Sequence, residues 1–223
     1  MSKKMRKSNE QELWSPALLR VFKKFKTPWD IQLYLNGLEY NPGDNTSSPE
    51  QVIMKKKAHC AEGAFFAAAS LRFLGYKPLV LYLTAWNDDD HFVALFKRNN
   101  RWGAISKSNY TVLRYREPVY KSIRELAMSY FEGYMNSIGQ KTMRAYTVPV
   151  NLERFDKGNW MGTKRDLEFV ADYFDNVKKF KVLDKKMISS LSPVDKELLE
   201  GALLRADKKG LFKPRETIKT NKY

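Results

Sequence analysis

Hydrophobic positions are densest between residues 60 and 106, where their spacing changes from helical to strand-like. Residues 61–74 are apolar on nearly every side and rich in helix formers, which predicts a buried helix ended by Gly75. Three apolar runs follow, at 79–86, 91–98 and 101–106, and their β-forming residues predict three strands. The pair Asn99-Asn100 between the last two runs is typical of a hairpin turn. The pattern therefore predicts a helix followed by three strands.

The flanking sequence predicts further elements, mostly helical. Before residue 60 we expect helices over 10–26, from Thr27-Pro28 to Gly37, and from the capping residue Ser48. After the hairpin we expect strands at 111–116 and 143–150 and helices at 119–135, 165–174 and 192–209, the last one capped by Gly210.

The candidate chemistry lies at the start of the buried helix. Cys60 is the only cysteine of the chain, and a helix N-terminus favours thiolate over thiol. His91 begins the second strand, after the polar turn 87–90. Each residue has a structural alternative, since a lone cysteine is often a small buried hydrophobe and a lone histidine is often a satisfied core residue. The pair nevertheless predicts a thiol nucleophile with an imidazole base.

The spacing of these residues resembles the transglutaminase-like superfamily, the circularly permuted relatives of papain-type cysteine proteases. The resemblance covers residues 48–110. It rests on Cys60, Ala64, Arg72 and Gly75 along the helix, on His91 at the strand start, and on Trp102 of the third strand. The family has an aspartate four residues after this tryptophan, where this chain has Ser106.

The resemblance implies an α+β papain-like core, in which a central buried helix packs on an antiparallel sheet between N- and C-terminal helices. It assigns Cys60 as nucleophile, His91 as base and Ser106 as the third catalytic residue. A serine hydroxyl accepts the ring N–H but adds no charge, so Asn109 and the aspartates 88–90 are alternative orienting groups. The substrate-binding candidates are Glu62, Trp102 and Asn109.

The expected activity is acyl transfer at an amide or peptide carbonyl, most simply hydrolysis of a peptide or protein substrate through a thioester on Cys60. Two alternatives stay open. The first is a degenerate transglutaminase-like module that only binds peptides, which the serine at position 106 favours. The second is a basic nucleic-acid-binding protein in which Cys60 is structural.

Length and composition indicate the domain division, the charge of the partners and the cellular location that we expect. The chain has 223 residues and divides, by our reading, into an N-terminal helical segment (1–46), a core (47–150) and a C-terminal helical extension (151–223). The net charge of +15 favours weak, nonspecific binding of anions or nucleic acid. We expect a cytoplasmic protein with no membrane association, because there is no long apolar run and no disulfide can form within the chain. No motif indicates a cofactor or a metal.

Overall fold

The computed structural model describes residues 14–215, which form eight α-helices and nine strands. Helices α1–α8 span Pro16–Phe22, Pro28–Asn36, Pro49–Lys55, Cys60–Phe73, Ile123–Met128, Glu168–Tyr173, Lys185–Ser189 and Lys196–Ala202. Strands β1–β9 span Glu39–Tyr40, Lys57–Ala58, Leu79–Ala85, His91–Arg98, Arg101–Ile105, Arg116–Tyr120, Met143–Thr147, Val150–Asn151 and Lys179–Lys181.

Seven of the strands form one antiparallel sheet. Its order is β6-β5-β4-β3-β7-β9, and β8 also pairs with β3. The short strands β1 and β2 form a separate parallel pair, and β2 directly precedes α4. The fold is therefore mixed α/β with an antiparallel sheet and helices, as the sequence predicted.

The sheet is covered on both faces, which explains the continuous apolar runs in β3 and β4. Along β4, Phe92 and Ala94 face a core that includes the buried residues of α4, whereas Val93 and Leu95 face a second core. Strand side chains alternate between faces, so a strand buried on both sides shows no polar alternation. Helix α4 packs mainly on β4, and this places its first residue beside the start of that strand.

Several local predictions are confirmed. Thr27 caps α2 with a complete capping box, and Ser48 Oγ accepts the Gln51 N–H at the start of α3. Gly75 has a φ of +89°, the left-handed conformation expected after the buried helix. Asn99 and Asn100 have φ values of 51° and 57°, as a type I′ hairpin turn requires.

Other predictions are wrong in extent. The expected strand at 111–116 is a 3-10 turn at Thr111–Leu113, and the strand begins only at Arg116. The helix expected over 119–135 is confined to Ile123–Met128. The predicted strand 143–150 forms as two pieces separated at Val148-Pro149, because proline cannot donate to a ladder.

The C-terminal part differs most from expectation. The helix expected over 192–209 is Lys196–Ala202 alone, capped by Asp195, and Gly210 ends a 3-10 turn instead of capping a helix. Strand β9 extends the main sheet, and Val182 and Val194 belong to the second core. The division at 46/47 and 150/151 stays a prediction.

The N-terminal helix predicted over 10–26 is α1 in the described residues, and its first part lies outside them. Among residues 14–215, no helix has the length and apolar character needed to cross a membrane.

Candidate active site

The nucleophile candidate stands at the first position of α4. His59 precedes it as the N-cap, and its Nδ1 accepts the Ala61 N–H at 3.2 Å. Glu62, at the third helical position, accepts the His59 N–H at 2.8 Å, which completes a capping box. Histidine is an unusual N-cap residue. The two hydrogen bonds of this capping box fix the start of α4, so that Cys60 is its first residue.

Glu62, which was predicted to bind substrate, lines neither cavity that contains Cys60. Its carboxylate is fully buried and accepts two further hydrogen bonds, from Asn41 Nδ2 at 2.9 Å and from the Ser47 N–H at 2.9 Å. Together with His59, these donors tie the loop 41–47 to the start of α4. Glu62 therefore holds the wall of the site and does not face the cleft.

The sulfur of Cys60 lies against the start of β4. Its S–H donates to the Asp90 carbonyl at 3.6 Å, and the N–H groups of Phe92 and Ala61 point at the sulfur. Burial raises the pKa of the Cys60 thiol to about 12; the two N–H groups oppose this rise, and the charges of Asp89 and Asp90 add to it. The shift is opposite to the one expected from the helix dipole, so the resting form is the thiol.

His91 is buried and held by one ring nitrogen. Nε2 lies 3.1 Å from the Leu113 carbonyl and 3.2 Å from Ser106 Oγ, and Ser106 itself donates to the same carbonyl at 2.7 Å. Because a carbonyl only accepts, Nε2 carries the proton of the neutral ring, and Nδ1 has its lone pair available. The expected hydrogen bond between Ser106 and His91 is therefore present.

The charge state of His91 follows from its surroundings. Burial lowers the pKa of the His91 imidazole to about 4, the nearby Arg116 charge lowers it further, and the bond to Leu113 opposes the shift. Cys60 and His91 are both neutral near pH 7.

Cys60 and His91 line a common inner cavity of about 30 Å³. No hydrogen bond joins the two side chains in residues 14–215, since the thiol is turned to the Asp90 carbonyl. Rotation of the thiol proton away from that carbonyl is needed before Nδ1 can receive it. Catalytic hydrogen bonds are commonly loose without substrate.

Tyrosines complete the inner cavity, and sequence reasoning missed them. The Tyr110 side chain is buried, and its hydroxyl has no hydrogen-bond partner in the described part of the chain. The Tyr134 hydroxyl donates to the Asp89 carbonyl at 2.9 Å. Tyr110 follows the third strand closely, and only its orphaned hydroxyl, which no sequence pattern reveals, distinguishes it from a core aromatic.

The polar turn before His91 is acidic and partly buried. Asp90 accepts the Ala85 N–H at 2.6 Å and the Tyr82 hydroxyl, so it closes the turn and does not orient His91. Asp88 accepts from Thr142 Oγ1 at 2.7 Å, and burial raises the pKa of its carboxyl to about 7. Burial and the charge of Asp90 also raise the pKa of Asp89.

Cys60 also lines an open outer cleft of about 350 Å³. Its lining includes the acidic residues Asp44, Asp89 and Asp90, together with His59. The remaining side is formed by the C-terminal segment, through Lys209, Gly210, Leu211 and Phe212. The mouth of the site is thus locally acidic in a strongly basic chain.

Of the two other predicted substrate-binding residues, Asn109 lines the inner cavity with Cys60 and His91, and Trp102 does not. The Asn109 amide accepts the Asp207 N–H and donates to the Asp207 carbonyl, and its role in orienting His91 stays a prediction. Trp102 lies on β5 under the ammonium group of Lys97, 5.2 Å from the ring centroid, and lines neither cavity that contains Cys60.

A scan against models of protein families finds no match to this chain, and neither does a search of curated proteins. Within the part of the chain that the structure describes, no group of three or more His, Cys, Asp or Glu side chains is arranged to hold a metal ion.

Proposed function

We propose that this protein is a transglutaminase-like, cysteine-dependent acyl-transfer enzyme that hydrolyses an amide or peptide bond through a thioester on Cys60. The observation that carries the proposal is the fixed tautomer of His91. Its Nε2–H is committed to Leu113 and Ser106, which leaves an unprotonated Nδ1 in a buried site whose cavity Cys60 also lines. The papain-like core is part of the same proposal, supported by a buried helix on an antiparallel sheet with the thiol at its first residue.

The chemistry starts from a neutral pair. As the sulfur attacks the carbonyl carbon, His91 Nδ1 takes the thiol proton and then gives it to the departing amine. Water, deprotonated by the same Nδ1, then attacks the thioester, the C–S bond breaks, and Nδ1 returns the proton to the sulfur as the acid leaves. Because both groups are neutral at rest, proton transfer accompanies attack and no thiolate–imidazolium pair is stored beforehand.

Two donors are placed to stabilise the oxyanion. The Cys60 N–H belongs to the first helical turn, where N–H groups have no intrahelical acceptor. The Tyr110 hydroxyl lines the inner cavity and is otherwise unpartnered within residues 14–215. An oxyanion on the substrate would satisfy this buried donor, and a donor of this kind contributes about 10²–10³-fold to the rate.

The test is acylation of Cys60 by a small panel of acyl-peptide p-nitrophenyl esters, followed by intact-protein mass spectrometry. The expected result is a hydroxylamine-sensitive acyl adduct whose formation falls about 10²–10⁴-fold in His91→Ala. His59→Asn is the matched control, because it changes the other histidine of the cleft and asparagine can still cap α4. Equal acylation of the wild type and His91→Ala would refute the role of His91 as the base for Cys60.

A peptide-binding module without activity is the second candidate. The absence of a carboxylate at Ser106 favours it, and so does the neutral resting pair, with the thiol bonded to the Asp90 carbonyl. It predicts saturable peptide binding with no acyl adduct at any pH. The acidic walls of the outer cleft argue against nucleic acid binding at this cleft, because they repel phosphate.

A further inference from the structure

Residues 207–215, which we call the strap, pass over the mouth of the site and are held at both ends by asparagines. The Asn109 side chain accepts the Asp207 N–H at 2.7 Å and donates to its carbonyl at 2.8 Å. The Asn87 side chain does the same at Arg215, accepting the N–H at 2.9 Å and donating to the carbonyl at 3.2 Å. The side-chain amide of each asparagine therefore forms two hydrogen bonds, to the main-chain N–H and the main-chain carbonyl of the same strap residue.

Between these two clamps, the strap lies in the site itself. Gly210 lines both the outer cleft and the inner cavity, where Cys60 and His91 are found. Lys209 lines the outer cleft together with Asp44, Asp89 and Asp90, so one basic residue and three acidic residues share this cleft. Leu211 and Phe212 follow along the same cleft.

The fit at Gly210 is close. A Cβ at this position would come within 2.5 Å of the Tyr40 ring and 3.4 Å of Asn109 Nδ2. Tyr40 lines the same two cavities as Cys60, so the strap can occupy this depth only with glycine at position 210. Glycine is required at position 210 because a side chain would collide with Tyr40, and not because of its backbone conformation.

From these contacts we propose that the strap is a built-in occupant of a peptide-binding groove that leads to Cys60. The groove recognises a peptide main chain through Asn109 and Asn87, accepts glycine beside Tyr40, and prefers a basic residue before that glycine and apolar residues after it. A substrate peptide must displace the strap to reach the thiol. The substrate class rests on the proposed function, whereas occupancy of the groove by a peptide does not.

The experiment measures alkylation of Cys60 by iodoacetamide, since the chain has a single cysteine. In the full-length protein, Gly210→Ala inserts a methyl group against Tyr40, and the double variant Asn109→Ala/Asn87→Ala removes both clamps. We expect alkylation at fixed pH to accelerate about tenfold or more in each, because release of the strap removes one wall around the partly exposed thiol. Gly201→Ala is the matched control, since its Cβ would meet no atom within 4 Å.

A synthetic peptide with the sequence of residues 207–215 is then added to Gly210→Ala. We expect it to slow alkylation back towards the wild-type rate, and the same peptide with alanine in place of its glycine to be ineffective. Circular dichroism shows whether each variant folds. Because Gly210→Ala and Asn109→Ala/Asn87→Ala release the strap in different ways, the test still gives a result if one of them fails to fold.

The inference is overturned if both variants are alkylated no faster than Gly201→Ala, or if the glycine peptide protects no better than the alanine peptide. Its failure is separable from failure of the proposed function, because alkylation requires no catalysis. Peptide protection without any acyl adduct would support the groove and would refute the acyl-transfer enzyme.

Discussion

Titration of Cys60 tests the electrostatics of the site directly. A pKa of about 12 leaves about one thiol in 10,000 ionised at pH 8, against about one in four for an ordinary cysteine of pKa ~8.5. Since only the thiolate is alkylated, ionisation alone should make Cys60 about 2,000-fold slower than a free thiol at this pH. The rate should rise about tenfold per pH unit from pH 6 to pH 10, without a plateau.

The assay is the iodoacetamide rate against pH for the wild type, His91→Ala and Asp89→Asn. His91→Ala should keep the same slope, because His91 is neutral over this range and adds no charge. Asp89→Asn should lower the Cys60 pKa and raise the rate severalfold at pH 8, since the Asp89 charge opposes the thiolate. Asp172→Asn, an exposed aspartate of α6, is the matched control.

The raised pKa of Cys60 also makes the free energy of unfolding depend on pH. The folded pKa of Cys60 lies above the unfolded value of about 8.5, so the folded state holds its proton to higher pH. The stability due to this group is complete below about pH 8.5 and is lost above it by about 1.4 kcal/mol per pH unit. A plateau in the alkylation rate below pH 9, shifted upward by His91→Ala, would refute this reasoning and would restore the activated thiolate expected from the sequence.

Three further predictions concern single side chains. Glu62→Gln should lower the free energy of unfolding in urea by about 2–4 kcal/mol, because an amide oxygen cannot accept hydrogen bonds from all three donors. The control Glu125→Gln, at the third position of the exposed start of α5, should cost less than about 1 kcal/mol, and equal losses would contradict the role of Glu62 as a buried cap. Tyr110→Phe should leave the urea midpoint unchanged or higher but slow Cys60 acylation about 10²–10³-fold, and an unchanged rate would exclude the hydroxyl as a donor. Gly63→Ala should cost about 2–3 kcal/mol, measured by urea unfolding, because its Cβ would lie 2.3 Å from Lys107 Cβ; wild-type stability would mean that the contact relaxes freely.

The coarse fold could be predicted from local chemistry. The apolar helix from Cys60 to Phe73, its glycine stop and the hairpin at Asn99-Asn100 each follow from backbone preferences that act within a few residues. The caps at Thr27 and Ser48 are equally local, and they too are found where the sequence predicted them. The overlong helices at 119–135 and 192–209 show the limit, because helical periodicity does not say where tertiary packing ends a helix.

The sequence also offered Cys60, His91 and Ser106 together as candidates, through its resemblance to the transglutaminase-like superfamily. It gave the wrong direction for the Cys60 pKa, because a helix dipole can be read from sequence whereas desolvation by surrounding atoms cannot. Glu62 was placed correctly in the first turn, but its donors come from the distant loop 41–47. Only chain packing decides which carboxylate is buried.

The tertiary structure alone determined the remainder of the site. The orphaned Tyr110 hydroxyl and the clamp between Asn109 and Asp207 join residues that no local pattern connects. Asn109 lines the inner cavity with His91, and its amide also holds a segment 98 positions further along the chain. Contacts at such a separation are set by how the whole chain packs, which local backbone preference and hydrophobic spacing do not encode.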